Sequence, residues 1–533
     1  MPQADTIVLA RHIHTLDPDK PGATAVAVTD GLIAAVGDHR DVRDWRGPDT
    51  EIIDLEHCYL TPGLVDGHTH PVLGLDLATG IDLSAVATPD QLRDVLADAA
   101  RSTPRGGWVT GFGLEHSAFD GIPITAAAID NVLGDVPALL GLYDGHSALA
   151  STRALHLAGV TGPRVFPQRS TVVCDPDGRP TGHLLEAAAM ALVQRIIPRP
   201  DQAQRRAGLR ALLDDMAAVG LTGGHVMDCQ GDALDLVASL DDEGELPLRL
   251  RLAPWCMPGV TDDELDSLIR DHGRHGRYWQ LGAVKFFIDG TVEGGTAWLE
   301  HADCHGEGTE SFWRDPSAYA RAVHRLAAAG IQTATHAVGD AGVQHVLDTL
   351  ESVRTRSVMH RIEHIESLPL EHTGRFAKLG VAASMQPTHA AYTRAEHTDE
   401  WSRRLGHERA NRAWCTGDIH ATGATLVLGS DWPIAHYDPR EVLATARLRR
   451  LPSRPDAAPV APGQALDALA ALHGMTTNPA KVAGEQASAG RIAPGYRADL
   501  TVFGADPVHA PADELADAPI ALTMLGGNVT HRA

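Results

Sequence analysis

Between Leu60 and Pro71 an apolar run, LTPGLVDGHTHP, ends in two histidines one residue apart, His68 and His70. In a β-strand that spacing puts both imidazoles on one face. Two neutral imidazoles aimed at one point pack poorly as hydrophobes but are good ligands for a borderline metal ion. Other apolar strand-like runs carry side chains of the same kind: Lys285 in AVKFFI, His336 in THAVGD, His364 in RIEHIE and Asp431 in GSDWP. Each alone is a hydrogen-bonded core histidine, a paired lysine or a turn-forming aspartate. Their convergence at the ends of five strands is harder to attribute to packing, because active sites on parallel α/β barrels gather at the carboxyl ends of the strands.

The elements that must position these residues follow from the rhythm of the chain. A helical run, a glycine and an apolar strand recur as AAVGLTGGHV, AAAGIQTATH, KLGVAASMQ and ATGATLVLGSD. The glycine suits the left-handed position that ends a helix, and helix followed by buried strand, repeated, means a parallel sheet. Eight strands are expected, at 60–68, 220–228, 247–255, 282–290, 331–339, 360–366, 381–387 and 425–433. They predict an α/β fold of the (β/α)8 TIM-barrel type, with a doubly wound open sheet as the alternative. Residues 5–58 and the chain after about 486 read instead as short strands broken by Gly and Pro. They predict one discontinuous β-sandwich domain, 1–59 with 486–533, around a hydrolase unit at 60–485. The roughly 150 residues between the first two barrel strands are too many for a loop. They form an insertion, 75–205, expected to cap the barrel mouth, with helices at TPDQLRDVLADAARS and GHLLEAAAMALVQRI and a hairpin at CDPDGRPTGHL.

The motifs HTH, VKFFIDG, THAVGD, RIEHIE and GSDWP, in this order and on these strands, resemble the amidohydrolase superfamily. With QPTH, RLG and DGHSAL the likeness narrows to the amidohydrolase family 3 branch that includes N-substituted formamide deformylases. The resemblance implies that His68, His70 and Asp431 hold one divalent metal, usually zinc, that His336 and His364 hold a second, and that a carboxylated Lys285 bridges them. One or two ions per chain are therefore expected, with the Lys285 carbamate drawn from carbon dioxide. His146, Glu186, Gln386, His389 and Trp432 fall in segments that resemble the family's pocket-lining stretches. Two ions about 3.5 to 4 Å apart can polarise a carbonyl and share a hydroxide, since metal binding can bring a water pKa from 15.7 to about 7. A carboxylate beside that water, Asp431, can move its proton to a leaving amine. Asp66, Asp289, Asp340 and Glu363 are close enough in sequence to orient the imidazoles.

Composition narrows the function class. A formal charge of -24 disfavours nucleic acid and anionic membranes as partners, and no apolar run reaches the roughly 20 residues of a membrane span. Six cysteines without CxxC pairing read as reduced and mostly buried, and with no basic-then-apolar start to the chain a cytoplasmic protein is expected. The expectation is a metal-dependent hydrolase, a homo-oligomer in the form of a dimer, that cleaves a small-molecule amide, formamide or cyclic amide. The alternatives are an esterase or deaminase, a lyase or isomerase that uses the metals as Lewis acids, and a non-catalytic oligomeric binding protein.

Overall fold

The computed structural model describes residues 3–119, 121–354 and 357–533. Two all-parallel ladders make its centre. One has four strands in the order Trp279–Leu281, Arg249–Leu252, Leu221–Val226 and Leu64–Thr69; the other has five, Val284–Phe287, Thr333–Ala337, Arg361–His364, Ala382–Met385 and Leu426–Leu428. Their strands are buried almost throughout, as parallel strands covered by helices must be. The ladders meet at two seams. At one, the amide of Lys285 donates to Pro254 O at 2.8 Å and that of Cys256 to Lys285 O at 2.8 Å; at the other, Asp431 N donates to His68 O at 2.7 Å. The second seam needs a close backbone approach, since a Cβ at Gly429 would lie 2.5 Å from the amide nitrogen of His68. The ladders form two sheets, and no continuous closed barrel runs through the described residues.

Seven of the eight expected strands lie within their expected ranges; the first, expected at 60–68, is Leu64–Thr69, because residues 60–62 end the strand Glu51–Pro62, and Trp279–Leu281 is a ninth that the sequence did not signal. The glycines that end the helical phrases, Gly220, Gly330, Gly380 and Gly423, all have positive φ. Gly380 is representative: at φ +68° its amide closes on the last turn of the helix Leu370–Leu379, and the chain then enters the strand Ala382–Met385.

The terminal pieces pair as one seven-stranded sheet, from Asn528–Arg532 through Ile520–Leu525, Leu500–Phe503, Glu51–Pro62, Thr6–His14 and Gly22–Thr29 to Leu32–Gly37. Both ends of the chain thus contribute strands to a single ladder, and the expected two-layer sandwich is not established. The long strand Glu51–Pro62 pairs with both pieces and leads directly to the histidine strand Leu64–Thr69.

The insertion builds a six-stranded sheet of its own, Thr171–Cys174, Pro180–Leu185, Ser147–Ala150, Ala138–Leu142, Val109–Leu114 and Ile81–Asp82. The hairpin across Asp175 to Arg179 and the helix Pro89–Ser102, capped by Thr88 and opened by Pro89, are as the sequence suggests. The helix expected over GHLLEAAAMALVQRI is shorter: Gly182 to Leu185 belong to the strand Pro180–Leu185, and the helix begins only at Ala187, after Glu186. All six cysteines are free, with Cys304 exposed. No helix among the described residues is long and apolar enough to cross a membrane.

Candidate metal centre

His68 and His70 leave the strand Leu64–Thr69 at its carboxyl end, and each has its outer ring nitrogen tied to a carboxylate. His68 Nδ1 lies 2.6 Å from Glu363 Oε2 and His70 Nδ1 lies 2.9 Å from Asp228 Oδ1. Those contacts fix the rings and leave both Nε2 atoms facing each other at 3.3 Å. Asp431 Oδ1 is 3.3 Å from the first and 3.2 Å from the second. The same carboxylate turns its other oxygen to a second group, with Oδ2 3.6 Å from His389 Nε2 and 3.8 Å from His364 Nδ1. His68, His70 and Asp431, and separately His364, His389 and Asp431, thus form two buried clusters of donor atoms close enough to hold a metal ion.

The electrostatics fit that use. Burial, with the cation of Lys285 adding to it, pushes His68 down to about 3, and burial holds His336 and His364 well below the ordinary imidazole range. Neutral imidazoles and a carboxylate are the donor set of a borderline divalent cation such as zinc. His70 goes the other way: burial lowers it, but Asp228 and Asp431 outweigh burial and raise it to about 9. Asp431 is held below the carboxylate range because the histidines around it outweigh its burial. Both His364, at φ +73°, and Asp431, at φ +58°, adopt a left-handed backbone that costs a non-glycine residue energy, and such residues cluster at functional sites.

Lys285 is 1% exposed, with Nζ 3.4 Å from His68 Nε2. His336 packs ring to ring on His364 at 4.4 Å and directs Nε2 to Gly290 O at 3.1 Å. It therefore stands beside the second cluster, whereas His389, expected to line a pocket, stands within it. Of the carboxylates expected to orient imidazoles, Glu363 does so, and Arg361 holds it in turn through Nε at 2.6 Å. The other three act mainly on the backbone. Asp66 accepts from the amides of His68 and Ser430, Asp289 from those of Trp298, Val338 and Gly339, and Asp340 from that of Glu300. Asp228 went unnoticed in the sequence, although it is the residue that ends GGHVMD on the second strand. Asp228→Asn is expected to weaken metal binding by about 10- to 100-fold without unfolding the chain, as measured by competition against a chelator.

The insertion brings a hydrogen-bonded pair to this centre. His146 Nδ1 lies 2.8 Å from Glu186 Oε2, and the His146 ring is 5.0 Å from that of His336. Burial opposes charging His146, but Glu186 raises it to about 9, so it carries a proton at neutral pH. Both residues line a cavity of about 90 Å3 together with His70, Lys285, His336, His364 and Asp431. Leu73, Leu77, Gly145, Pro433 and Ile434 also line a second cavity of about 470 Å3, whose wall includes Phe112, Tyr143, Met190, Tyr392 and Trp432. Trp432 thus belongs to the outer chamber. Gln386 is buried with neither amide atom hydrogen-bonded among the described residues, and it lines neither chamber.

A model of the amidohydrolase family matches residues 51–531. The chain belongs to the amidohydrolase family. This amidohydrolase is 29% identical over 538 residues to an N-substituted formamide deformylase of Arthrobacter pascens, covering 98% of the chain and 97% of that protein. It is 28% identical over 528 residues to a putative amidohydrolase, YtcJ, of Bacillus subtilis, covering 97% and 98%. Among solved structures, an uncharacterized metal-dependent hydrolase from Pyrococcus horikoshii shares its fold with a TM-score of 0.73 at 22% identity, over 95% of this chain and 99% of that one. As a family member it is a hydrolytic, metal-binding enzyme acting on carbon–nitrogen bonds.

Proposed function

We propose that this amidohydrolase cleaves a small-molecule formamide or other short-acyl amide whose nitrogen carries a bulky apolar group. The observation that carries the reading is Asp431, one carboxylate whose two oxygens face two separate clusters of histidine nitrogens. In the proposal His68, His70 and Asp431 hold one ion and His364, with His336 or His389, a second, zinc being the metal that suits the donors. Lys285, carboxylated, lies between them. Divalent ions held there supply Lewis acidity, which polarises a carbonyl and eases the deprotonation of water. Asp431 takes the proton of the attacking water on a carboxylate oxygen and passes it to the leaving nitrogen. His146, charged and fixed by Glu186, has Nε2–H free to donate to the substrate carbonyl oxygen.

Chamber sizes support the substrate class. About 90 Å3 beside the donors accepts a formyl or acetyl group, whereas about 470 Å3 of aromatic and aliphatic wall accepts the larger half of the molecule. Two parallel ladders that adjoin at both seams support a closed (β/α)8 barrel at 60–485, with 75–205 as its cap and 1–59 plus 486–533 as the accompanying β unit. A cytoplasmic homodimer completes the proposal.

The test is turnover of N-(2-phenylethyl) formamide, acetamide and benzamide in 18O-labelled water by the zinc-loaded protein. Label is expected in the carboxylate product, with kcat/KM falling about tenfold or more at each enlargement of the acyl group. Turnover without label in the product excludes hydrolysis, and a benzamide faster than the formamide overturns the assignment of the chambers.

A further inference from the structure

Only four lysines occur in this chain of 533 residues and net charge -24, yet two of them, Lys378 and Lys481, line one cavity of about 670 Å3. The cavity lies at the end of the five-stranded ladder opposite the metal donors. Its lining residues Gln332, His360 and Val381 immediately precede the strands Thr333–Ala337, Arg361–His364 and Ala382–Met385, two of which carry His336 and His364 at or near their far ends. Arg251 and His272 add further basic side chains, and no Asp or Glu occurs among the lining residues. Counter-charges reach only part of this group. Lys378 Nζ lies 3.4 Å from Glu351 Oε1, and Lys481 Nζ donates to the Thr425 hydroxyl at 3.0 Å.

Two buried donors in the lining are unsatisfied. Arg251 Nε and His360 Nε2 have no hydrogen-bond partner among the described residues. The tautomer of His360 is fixed, because its Nδ1 accepts the Thr333 amide at 3.1 Å and the ring hydrogen must sit on Nε2. Among the described residues Arg251 donates elsewhere only to neutral oxygens, to Gly282 O and to Gln332 Oε1 at 3.5 Å, and forms no ion pair; Glu485, itself paired with Arg497, acts on it only through space. Burial draws its guanidinium down to about 10, so it stays charged at neutral pH. A buried cation that forms no ion pair is costly, and so is a buried N–H left unpaired. A ligand that brings negative charge and acceptor oxygens offsets both.

We propose that this cavity binds a small organic phosphate, with Arg251 and Lys481 holding the phosphate oxygens. Guanidinium and ammonium donors match a phosphate, the arginine as a planar fork and the lysine as a point charge. The volume falls within the range of about 300–1,000 Å3 typical of small-molecule sites and exceeds what inorganic phosphate alone would fill. The position, at the ladder's other end, separates this ligand from the substrate.

Calorimetric titration of the full-length, zinc-loaded chain with AMP and with inorganic phosphate tests this. Saturable AMP binding is expected, weakened about tenfold or more in Lys481→Gln and in Arg251→Gln, as loss of one charge-assisted contact implies, and unchanged in Asp431→Asn. Lys481→Gln keeps the test decisive if the buried Arg251 substitution fails to fold. The proposal is overturned by absence of saturable binding at millimolar AMP, or by inorganic phosphate binding as tightly as AMP. It is overturned equally by binding that survives Lys481→Gln and disappears in Asp431→Asn, which assigns the phosphate to the metal centre.

Discussion

Asp431→Asn is expected to lower kcat by roughly 10²- to 10⁴-fold in metal-replete protein, the scale of losing general acid–base assistance, while leaving the fold intact. Three features make this substitution clean. The side chain is buried, and Asn has nearly the same shape. The backbone at φ +58° is a conformation that Asn tolerates better than most residues. The seam bond from the Asp431 amide to His68 O, 2.7 Å long, does not involve the side chain. What the change removes is the negative charge facing four imidazoles and the basic oxygen that moves the proton. An unaltered melting temperature with a collapsed rate, at equal metal content, gives Asp431 its role. A rate close to wild type in the metal-replete Asn variant removes it from the mechanism.

Most of the parallel core was legible because buried parallel strands are continuous apolar runs, four of them entered here through a helix-ending glycine, Gly220, Gly330, Gly380 or Gly423. Trp279–Leu281 escaped because three residues with one buried side chain carry no periodic signal. GHLLE was read as helix because its apolar leucines run into a true helix; its partners are supplied by the antiparallel register of His183 with Leu149 and Leu185 with Ser147, which no local pattern reveals. That same register explains how His146 and Glu186, forty residues apart, come to share a hydrogen bond. His389 is expected in a pocket only because its segment resembles the family's pocket-lining stretches; it lies on the turn Pro387–Tyr392 beyond its strand, where side-chain direction does not follow strand alternation. The donors on strands were found by type and position, whereas Asp228 required asking which carboxylate could hold the outer nitrogen of His70.

Lys285 gives the sharpest contrast between two readings of one residue. A lysine on a buried strand has two ordinary fates, an ion pair with a carboxylate or a neutral amine, and Asp289 in the same VKFFIDG run is the nearest carboxylate in sequence. Asp289 instead spends its oxygens on three backbone amides, and among the described residues Lys285 forms no ion pair. Its Nζ faces His68 at 3.4 Å and the Phe287 ring at 5.1 Å. Burial lowers its pKa to about 8 against the opposing pull of Glu363 and Asp431, so a sizeable fraction is neutral near physiological pH. A neutral amine can add carbon dioxide, forming a nitrogen–carbon bond and releasing one proton. The resulting carbamate has two anionic oxygens, and divalent ions on either side would offset the cost of burying it. Arginine cannot follow this chemistry, since its guanidinium stays protonated. Lys285→Arg and Lys285→Ala are therefore both expected to lose turnover and at least one metal ion per chain, measured by elemental analysis on the same samples. Bicarbonate is expected to speed reconstitution of metal-free wild type, and short carboxylic acids to restore part of the activity of the Ala variant but none of the Arg variant. Turnover and metal content near wild type in Lys285→Arg would refute the carbamate and leave a single-metal site on His68, His70 and Asp431.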